Sequence, residues 1–484
     1  MALLCPGCQS KIMNNLPFLR PSRTIYSRHV IKEHGPVFRL HKNTVTINSQ
    51  SLGRLFARDE NFFWDDEDDS FRQSLEFGPL VPASVNDVKQ ALAEYVFKRA
   101  AAEHIPADKI RLTDSVVKAV LGVMKAKSKM PVTHPGNLFP ADEYCLIRFG
   151  VDKIRPLRFY PEYGFKTGSN VGYKPEAKCP KFLALLEQIL PDAKDRRLLQ
   201  MYLGGAFTGR NHTRRMLVMR GPTGSGKSTI MKIQETILGY GWVGDLRPEF
   251  LGSQFELSHS LDVRQMSAKD VAANTLSVQG AKHLKHLLGG DITQAEVKYG
   301  GKKRVSGNYF VVITSNSDLR IALENDEDAW LSRLLVLDFT KIAGQHFDLG
   351  YVDRLIKEEA PGILNFFLEG GMMYLREVRK HGDLRQTPAQ TRRAENLVMA
   401  SKSLEVFVTS KLVFCNGPDM TNDEVIKAYA DFCKGRGWTP ISSAVLYSQL
   451  PDLMLHKLGA TKAGNVMREG VRHKGYRNVS IKAS

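Results

Sequence analysis

Apolar side chains recur along this chain with a spacing that changes from block to block. From Val85 to Met130 they fall every three or four residues, which predicts a helical subdomain. The helical period returns at Phe182–Leu190 and at Arg197–Leu203. Two uninterrupted apolar runs, Met216–Met219 and Tyr309–Ile313, predict buried strands instead, and the second is typical of a central strand in a parallel sheet.

Two segments outside these blocks follow neither period. Residues 131–180 carry many Pro, Gly and Tyr residues and predict an extended arm or linker. The run Phe62–Ser70 places five acids beside three aromatic residues. It lacks the alternation of carboxylates along a strand that a nucleotidyl-transfer site needs, so we interpret it as a solvated acidic loop and keep a metal site as the alternative.

A phosphate-binding pattern stands directly after the first apolar run. Residues Gly221–Ser228 fit G-x-x-x-x-G-K-S without a gap, and the segment up to Leu238 permits a helix. Only residues without a Cβ let such a loop close so that its N–H groups point at phosphate oxygens. Lys227 is expected to reach the β- and γ-phosphates of a nucleoside triphosphate, and the Ser228 hydroxyl to hold Mg²⁺; a purely structural turn is the alternative. The residues expected to bind the nucleotide are Gly221, Pro222, Thr223, Gly224, Ser225, Gly226, Lys227, Ser228 and Thr229.

Polar residues at later strand ends are candidates for the rest of this site. Val263–Ala268 predicts a second core strand, although two of its residues are strongly polar. Asp270 follows it and is a candidate to hold Mg²⁺ through a water, with Asp262 as the competing candidate. Asn316 ends the next strand and is a candidate to orient the attacking water. Arg333 lies where a cation at a subunit edge would stabilise charge on a neighbour's phosphate.

A basic hairpin is predicted between these strands. Its tip is expected at Gly300–Arg304 and its return strand at Val305–Gly307. Consecutive cations on a short exposed hairpin are typical of phosphate contact, and a solubilising loop is the alternative. The residues expected to contact DNA are Lys298, Lys302, Lys303 and Arg304.

The C-terminal residues predict a further nucleic-acid-binding unit. Val425–Phe432 and Ala444–Leu455 have helical spacing on either side of a turn. Arg472–Arg477 predicts a basic hairpin wing before a strand at Val479–Ile481. Helix–turn–helix followed by a wing is an arrangement that reads duplex DNA, with protein docking as the alternative.

Composition and charge narrow the class of protein. The formal net charge of +17 over 484 residues favours a polyanionic partner over a generic basic surface. No apolar run approaches the ~18 residues of a membrane span, and the first residues do not resemble a secretion signal. Six scattered cysteines suit the reducing cytosol or a nucleus, and we expect the cytoplasm, or the host cytoplasm for a phage or virus. Cys5 and Cys8 with His29 and His34 leave a zinc site open against a loose leader.

The order of these motifs resembles the superfamily 3 helicases, and more narrowly their phage, plasmid and poxvirus primase-helicase branch. The resemblance rests on the segments Gly221–Ser228, Leu284–Asp291, Val311–Asn316 and Trp330–Arg333, and it extends outward to residues 173–180, 359–370 and 428–442. Many members of that branch begin with a primase domain. Residues 1–84 are too few for one and lack a credible catalytic carboxylate pair, so no primer synthesis is expected.

The resemblance implies an α/β fold whose P-loop, AAA+-like ATPase core on a parallel sheet follows a helical domain and precedes a winged-helix domain. It further implies a ring, usually a hexamer, with ATP and Mg²⁺ between subunits. One subunit would supply Lys227, Ser228, Asp270 and Asn316, and Arg333 would act on the site of the neighbouring subunit. Single-stranded DNA would pass through the ring channel during 3′ to 5′ translocation. The C-terminal domain would bind duplex or origin DNA. The implied domains are an uncharacterised region 1–84, a mainly helical domain 85–200, the ATPase core 201–345, post-ATPase helices 346–400 and the winged helix 401–484.

Overall fold

The computed structural model describes most of the chain between residues 23 and 482. The described residues are 23–42, 44–130, 137–150, 152–248, 251, 263–272, 278–290, 292–297, 301–316, 319–321, 323, 326–340 and 350–482. Within these residues the chain is a mixed α/β protein with fourteen α-helices and a five-stranded parallel sheet. No described helix combines the length and the apolar character needed to cross a bilayer.

Residues 23–130 form the N-terminal unit around one hydrophobic core. Its elements are α1 (Arg23–His34), β1 (Phe38–His41), β2 (Thr44–Ile47), α2 (Ser49–Asp59), β3 (Phe62–Asp65), β4 (Ser70–Ser74), β5 (Leu80–Ala83), α3 (Val85–Ala102), a 3₁₀ turn (Ala107–Lys109) and α4 (Asp114–Lys127). The predicted helical period after Val85 is therefore confirmed as two helices. Leu92 and Met124 of these helices pack in the same core as Leu55 and Trp64, so the core spans the predicted boundary at residue 85.

Residues 138–158 form a three-stranded antiparallel sheet, where the composition predicts an extended arm. The elements from here to residue 208 are β6 (Leu138–Pro140), β7 (Cys145–Phe149), β8 (Ile154–Arg158), a 3₁₀ turn (Pro161–Tyr163), α5 (Pro180–Ile189) and α6 (Ala193–Thr208). The glycine-rich segment Gly221–Ser228, farther along the chain, is called the phosphate loop below because of its sequence pattern. The prediction of an arm is wrong for these residues because β7 is buried at Leu146, Ile147 and Phe149, which pack in the core beside α5 and α6.

The central sheet lies between two layers of helices. Its region contains β9 (Met216–Arg220), α7 (Lys227–Leu238), a 3₁₀ turn (Tyr240–Trp242), β10 (Val243–Asp245), β11 (Gln265–Ala268), α8 (Val278–Gly289), β12 (Ile292–Val297), β13 (Gly301–Ser306), β14 (Phe310–Ser315), α9 (Glu327–Leu331) and β15 (Leu334–Asp338). The sheet order is β10-β11-β14-β9-β15, and every neighbouring pair is parallel. The predicted central parallel strand is thus confirmed in β14.

Both faces of this sheet are buried, as parallel strands require. Leu217 and Val312 face a core that contains residues of α6 and α7. Val218 and Val311 face a second core with residues of α8. Because every strand is parallel, the carboxyl ends of β9, β11, β14 and β15 meet at one edge, and that edge carries the phosphate loop.

The remaining residues form two long helices and a small C-terminal unit. Their elements are α10 (Tyr351–His381), α11 (Pro388–Ser401), α12 (Ser403–Lys411), β16 (Leu412–Phe414), β17 (Met420–Thr421), α13 (Asn422–Lys434), α14 (Ser443–Leu458), β18 (Lys462–Arg468), β19 (Val471–Tyr476) and β20 (Val479–Ile481). Helix α10 packs closely along α6, since a Cβ at Gly204 would lie 2.4 Å from the carbonyl oxygen of Phe367. Residues 404–479 enclose a core of their own.

In the C-terminal unit both predicted helices and the predicted strand at Val479–Ile481 are confirmed. The hairpin lies at a different position from the predicted one. Residues 472–476 lie within β19, which pairs with β18, and the turn between the two strands is at Glu469 and Gly470. Both turn residues have positive φ, 48° and 80° respectively, as a tight hairpin turn requires. The prediction that Arg472–Arg477 is itself a hairpin is therefore wrong.

Candidate active site

The phosphate loop joins the end of β9 to the start of α7. Gly224 and Gly226 have φ values of 77° and 91°, which disfavour any residue with a Cβ. Gly221 is required by packing as well, because a Cβ there would lie 2.1 Å from the carbonyl oxygen of Phe339. The glycine positions that the sequence pattern singles out therefore have a steric reason in the fold, and they leave the loop backbone open to a ligand.

Lys227 is enclosed by the loop that it follows. Its side chain is 3% exposed, and its Nζ donates to the carbonyl oxygens of Gly221 and Pro222 at 2.7 and 3.0 Å and to Ser225 Oγ at 3.2 Å. Burial lowers the pKa of Lys227, while the charge of Asp270 acts in the opposite direction. The ammonium group is thus held by neutral oxygens, an arrangement that favours an incoming anion. Ser228, the next residue, is exposed at the start of α7.

Asp270 and Asn316 come together at the same edge of the sheet. Asn316 Nδ2 donates to Asp270 Oδ1 at 3.4 Å, and the Asp270 backbone N–H donates to Thr314 Oγ1 at 2.9 Å. Asp270 has a φ of 52°, a left-handed conformation uncommon outside glycine. Both side chains are exposed, so they are open to a ligand. The competing candidate, Asp262, lies outside the described residues.

The two strongly polar residues of the second predicted strand, Arg264 and Gln265, are buried, and both form hydrogen bonds inside the protein. Gln265 in β11 exchanges two side-chain hydrogen bonds of 2.9 Å with Gln234 of α7. The Arg264 guanidinium donates to the carbonyl oxygens of Phe207 and Leu138, both at 2.8 Å, and stacks over Trp242 at 4.2 Å. Burial lowers the pKa of Arg264 to about 9, which leaves it charged at neutral pH. These contacts hold β11, and with it Asp270, against α7.

Arg333 lies at the amino-terminal ends of the parallel strands, whereas the phosphate loop lies at their carboxyl ends. It precedes β15, and its carbonyl oxygen accepts from the N–H of Met216, the first residue of β9. Its Nη1 donates to the carbonyl oxygen of Ala329 at 2.6 Å. Five strand residues separate this edge from Gly221, roughly 16 Å at 3.3 Å per residue. Arg333 therefore does not join Lys227 within one chain.

The basic hairpin exists, but its cations do not form its tip. Strands β12 and β13 pair antiparallel, with Glu296 opposite Lys302 and Gln294 opposite Arg304. The predicted tip at 300–304 is therefore wrong for residues 301–304, because the Lys-Lys-Arg run continues the strand pairing. Lys303 pairs with Ala295 in the same ladder. Lys298 lies outside the described residues.

A groove next to the phosphate loop adds residues that the sequence patterns did not indicate. It has a volume of about 390 Å³ and is lined by Arg220, Gly221, Pro222, Asn316, Asp338, Phe339, Thr340 and Thr439. Asp338 ends β15 and pairs with Arg220 at 2.5 Å. The strand-end rule that singled out Asn316 also applies to Asp338, but no local pattern connects Thr439 of the C-terminal unit with this edge.

The candidate zinc ligands are only partly within the described residues. Cys5 and Cys8 lie outside them, whereas His29 and His34 contact Glu33 at 3.5 and 3.1 Å. The acidic run behaves as predicted at residues 66–69, which are exposed. The prediction of a solvated loop is wrong for residues 62–65, which form the largely buried strand β3. Asp65 at the end of this strand is buried beside Arg72 at 2.8 Å and Lys166 at 3.0 Å. Among the residues that the structure describes, no cluster of three or more acidic, His or Cys side chains suits a metal ion.

Comparison with known proteins gives a partial match and a distant structural likeness. Residues 219–333 match DUF5906, a family of unknown function, over the stretch that contains the phosphate loop, Asp270 and Asn316. No curated protein matches the chain. The A-form apo structure of the NrS-1 C-terminal region is 11% identical over 88% of this chain and 98% of that chain, with a TM-score of 0.43. The apo structure of NrS-1 residues 305–718 is 12% identical over 90% and 99%, with a TM-score of 0.44.

Proposed function

We propose that this protein is an ATP-dependent DNA helicase that translocates 3′ to 5′ on single-stranded DNA in the replication of a phage, virus or mobile element. The observation that carries the proposal is the meeting of three groups at one sheet edge. They are the glycine loop around Lys227, the exposed Ser228 at the start of a helix, and the Asp270–Asn316 pair. The parallel sheet, the loop and the polar pair together support the proposal of a P-loop ATPase core of the AAA+ kind.

ATP and Mg²⁺ fit the groups present at this edge. A triphosphate would replace the carbonyl and hydroxyl oxygens that now accept from Lys227, and the helix N-terminus would add its own N–H groups. Ser228 and Asp270 supply the hard oxygen ligands that Mg²⁺ prefers. Bound Mg²⁺ would neutralise charge on the β- and γ-phosphates.

Hydrolysis in such a site depends on positioning and on charge stabilisation, because phosphoryl transfer needs little covalent help from the protein. Asn316, held by Asp270, would orient the attacking water. Lys227 would stabilise the charge that develops on the transferred group. Thr314 helps to position this pair, because its hydroxyl oxygen accepts a hydrogen bond from the Asp270 backbone N–H.

The position of Arg333 supports a ring in which neighbouring subunits share each site. Within one chain Arg333 lies at the far edge of the sheet, so it can reach phosphate only on another subunit. A closed head-to-tail ring would bring that edge to the neighbour's phosphate loop. The resemblance to superfamily 3 helicases favours a hexamer.

Two basic regions would contact DNA. Strand β13 carries Lys302, Lys303 and Arg304 and forms a short hairpin with β12. Along the chain this hairpin follows α8 and precedes β14, and we propose that it contacts the single strand in the ring channel. The C-terminal unit combines α13, α14 and the β18–β19 hairpin, which is the composition of a winged helix, and would bind duplex or origin DNA.

An ATP-regulated initiator without processive unwinding is the second candidate. It is favoured by the separate core of the C-terminal unit, which would bind duplex DNA without a ring channel. Unwinding separates the two candidates, because an initiator would bind and hydrolyse ATP without displacing a strand.

The test is strand displacement on forked duplexes that carry a single-stranded 3′ or 5′ tail. We expect the wild-type protein to unwind the 3′-tailed fork with ATP and Lys227→Ala to unwind neither. Lys232→Ala is the matched control, because Lys232 lies on the same helix, is exposed, and pairs with Asp353 at 2.6 Å. ATP hydrolysis without displacement of either fork would contradict the helicase and leave the initiator.

A further inference from the structure

The C-terminal unit reaches the edge of the sheet where the nucleotide is proposed to bind. The loop between α13 and α14 brings Thr439 to the groove that Gly221, Pro222 and Asn316 also line. Thr439 is exposed and forms part of the lining of that groove. Its carbonyl oxygen accepts from the Arg320 guanidinium, which is 7% exposed. A residue more than a hundred positions from the phosphate loop in sequence therefore contributes to the wall beside it.

Three residues that follow Asn316 in the chain contact this loop or the junction of α11 and α12. Arg320 stands four residues after Asn316. The next residue, Ile321, donates its backbone N–H to Ser401 Oγ at 3.1 Å. Glu327 forms an ion pair with Lys402, the residue before α12. The C-terminal unit is thus attached to the segment that carries the water-orienting candidate.

A second connection runs through the other wall of the groove. Asp338 pairs with Arg220, the residue before the phosphate loop, and lies 3.6 Å from Arg393 Nε of α11. Arg393 also pairs with Asp195 of α6 at 2.8 Å. Helix α11 leads directly into α12 and the C-terminal unit. One wall of the groove therefore contacts the C-terminal unit through Arg320 and Thr439, and the other contacts α11, the helix that leads into that unit.

The C-terminal residues are basic as a group, and the loop beside the groove contributes Arg436. Residues 434–484 hold nine Lys or Arg residues and two acids. The Arg436 guanidinium stacks on Phe432 at 3.9 Å and lies 5.6 Å from the ring of Trp438. Negative charge in the groove would attract this loop, and a γ-phosphate adds such charge where ADP does not.

We propose that the C-terminal unit docks according to nucleotide state. The terminal phosphate of ATP occupies the groove and accepts a hydrogen bond from Thr439, which holds the basic loop against the sheet edge. Hydrolysis and phosphate release remove that contact and loosen the unit. This inference rests on the proposed ATP site, and it makes duplex contact by the C-terminal unit dependent on the hydrolysis cycle.

Hydrogen–deuterium exchange of the full chain tests the proposal directly. The loop at residues 436–441 is compared with saturating β,γ-imido-ATP and with saturating ADP, both with Mg²⁺. We expect exchange to be about fivefold slower with the ATP analogue, the effect of one additional hydrogen bond. Equal exchange in the two states, with both nucleotides shown to be bound, would overturn the proposal and leave the ATP site intact. Failure to bind either nucleotide would instead remove the proposed function, and this inference with it.

Two variants test the contact itself. Thr439→Val removes the hydroxyl and keeps the side-chain shape, so the difference between the two nucleotide states should disappear while nucleotide affinity falls by no more than about tenfold. Thr461→Val, at an exposed position in the same unit, is the matched control and should retain the difference. Arg320→Gln should speed exchange of the loop in both states, because it removes the anchor on the Thr439 carbonyl. A Thr439→Val protein that keeps the full difference would refute the hydroxyl contact.

Discussion

Replacement of Gly226 by alanine tests whether the phosphate loop needs the conformation that it has in this fold. Gly226 has a φ of 91°, and a Cβ there would lie 2.9 Å from Ile189 Cδ1 and 3.0 Å from Ile189 Cγ2. The left-handed conformation costs about 1–2 kcal/mol for a residue with a Cβ. Overpacking against the buried Ile189 adds about 1–3 kcal/mol. We therefore expect Gly226→Ala to lower the free energy of unfolding by about 2–5 kcal/mol.

The two contributions separate in a double-mutant cycle. Ile189→Val removes the Cδ1 atom at the closest contact and by itself costs about 0.5–1.5 kcal/mol. If overpacking against Ile189 contributes to the effect, Gly226→Ala should lower the free energy of unfolding by less in the Ile189→Val background than in the wild type. The conformational part should remain in both backgrounds.

Two assays characterise this variant. Urea unfolding measures its free energy of unfolding, and titration with a fluorescent ATP analogue measures its affinity for the nucleotide. The loop N–H groups should move away from the phosphates, so affinity should fall at least about tenfold, as for one lost hydrogen bond to a charged group. Gly122→Ala is the control, because Gly122 lies in α4 with no atom within 4 Å of an added Cβ, and should be stabilised by up to about 1 kcal/mol. A Gly226→Ala protein with wild-type stability and affinity would show that neither the left-handed backbone nor the contact with Ile189 restricts this position.

Three further predictions follow from the site and from the N-terminal unit. Arg333→Ala should lower ATPase activity about 10³-fold, and mixing it with Lys227→Ala subunits should restore part of that activity in a steady-state assay; no recovery would argue against a shared site. Changing Lys302 and Lys303 together to Ala should abolish unwinding of a forked duplex while duplex binding, measured by anisotropy, survives; normal unwinding would show that the hairpin does not drive translocation. Burial raises the pKa of Asp65, but hydrogen bonds from Lys166 and Arg72 outweigh it and lower the pKa from 3.8 to about 2. Because the folded-state pKa is the lower one, this stabilisation is present above pH ~4 and is lost as pH falls to ~2. Over that window the free energy of unfolding should fall by about 2 kcal/mol more for the wild type than for Asp65→Asn; equal pH dependence of the two proteins in urea unfolding would count against the buried ion pair.

Local sequence patterns were sufficient where the local chain determines its own structure. The phosphate loop is one such case, because the positive φ values of Gly224 and Gly226 demand glycine regardless of the rest of the fold. Strand β14 is another, since a continuous apolar run suits a strand buried on both faces. The helices at residues 85–127 and 422–458 follow from their periodicity.

Other features depend on partners that are distant in sequence. Strand β11 contains polar residues that are satisfied only by Gln234 and the carbonyl oxygens of Phe207 and Leu138, which no local pattern reveals. The sheet at residues 138–158 includes Pro140 and Pro156, which weaken the strand signal. Thr439 reaches the groove only because the C-terminal unit folds back onto the central sheet.

The most direct test of the central claim is the rate of ATP hydrolysis with and without single-stranded DNA. If the site at Gly221–Ser228 drives movement along DNA, the wild-type rate should rise when DNA is added, and Lys227→Ala should show no activity in either condition. A rate that does not respond to DNA, or a Lys227→Ala protein as active as the wild type, would contradict the account.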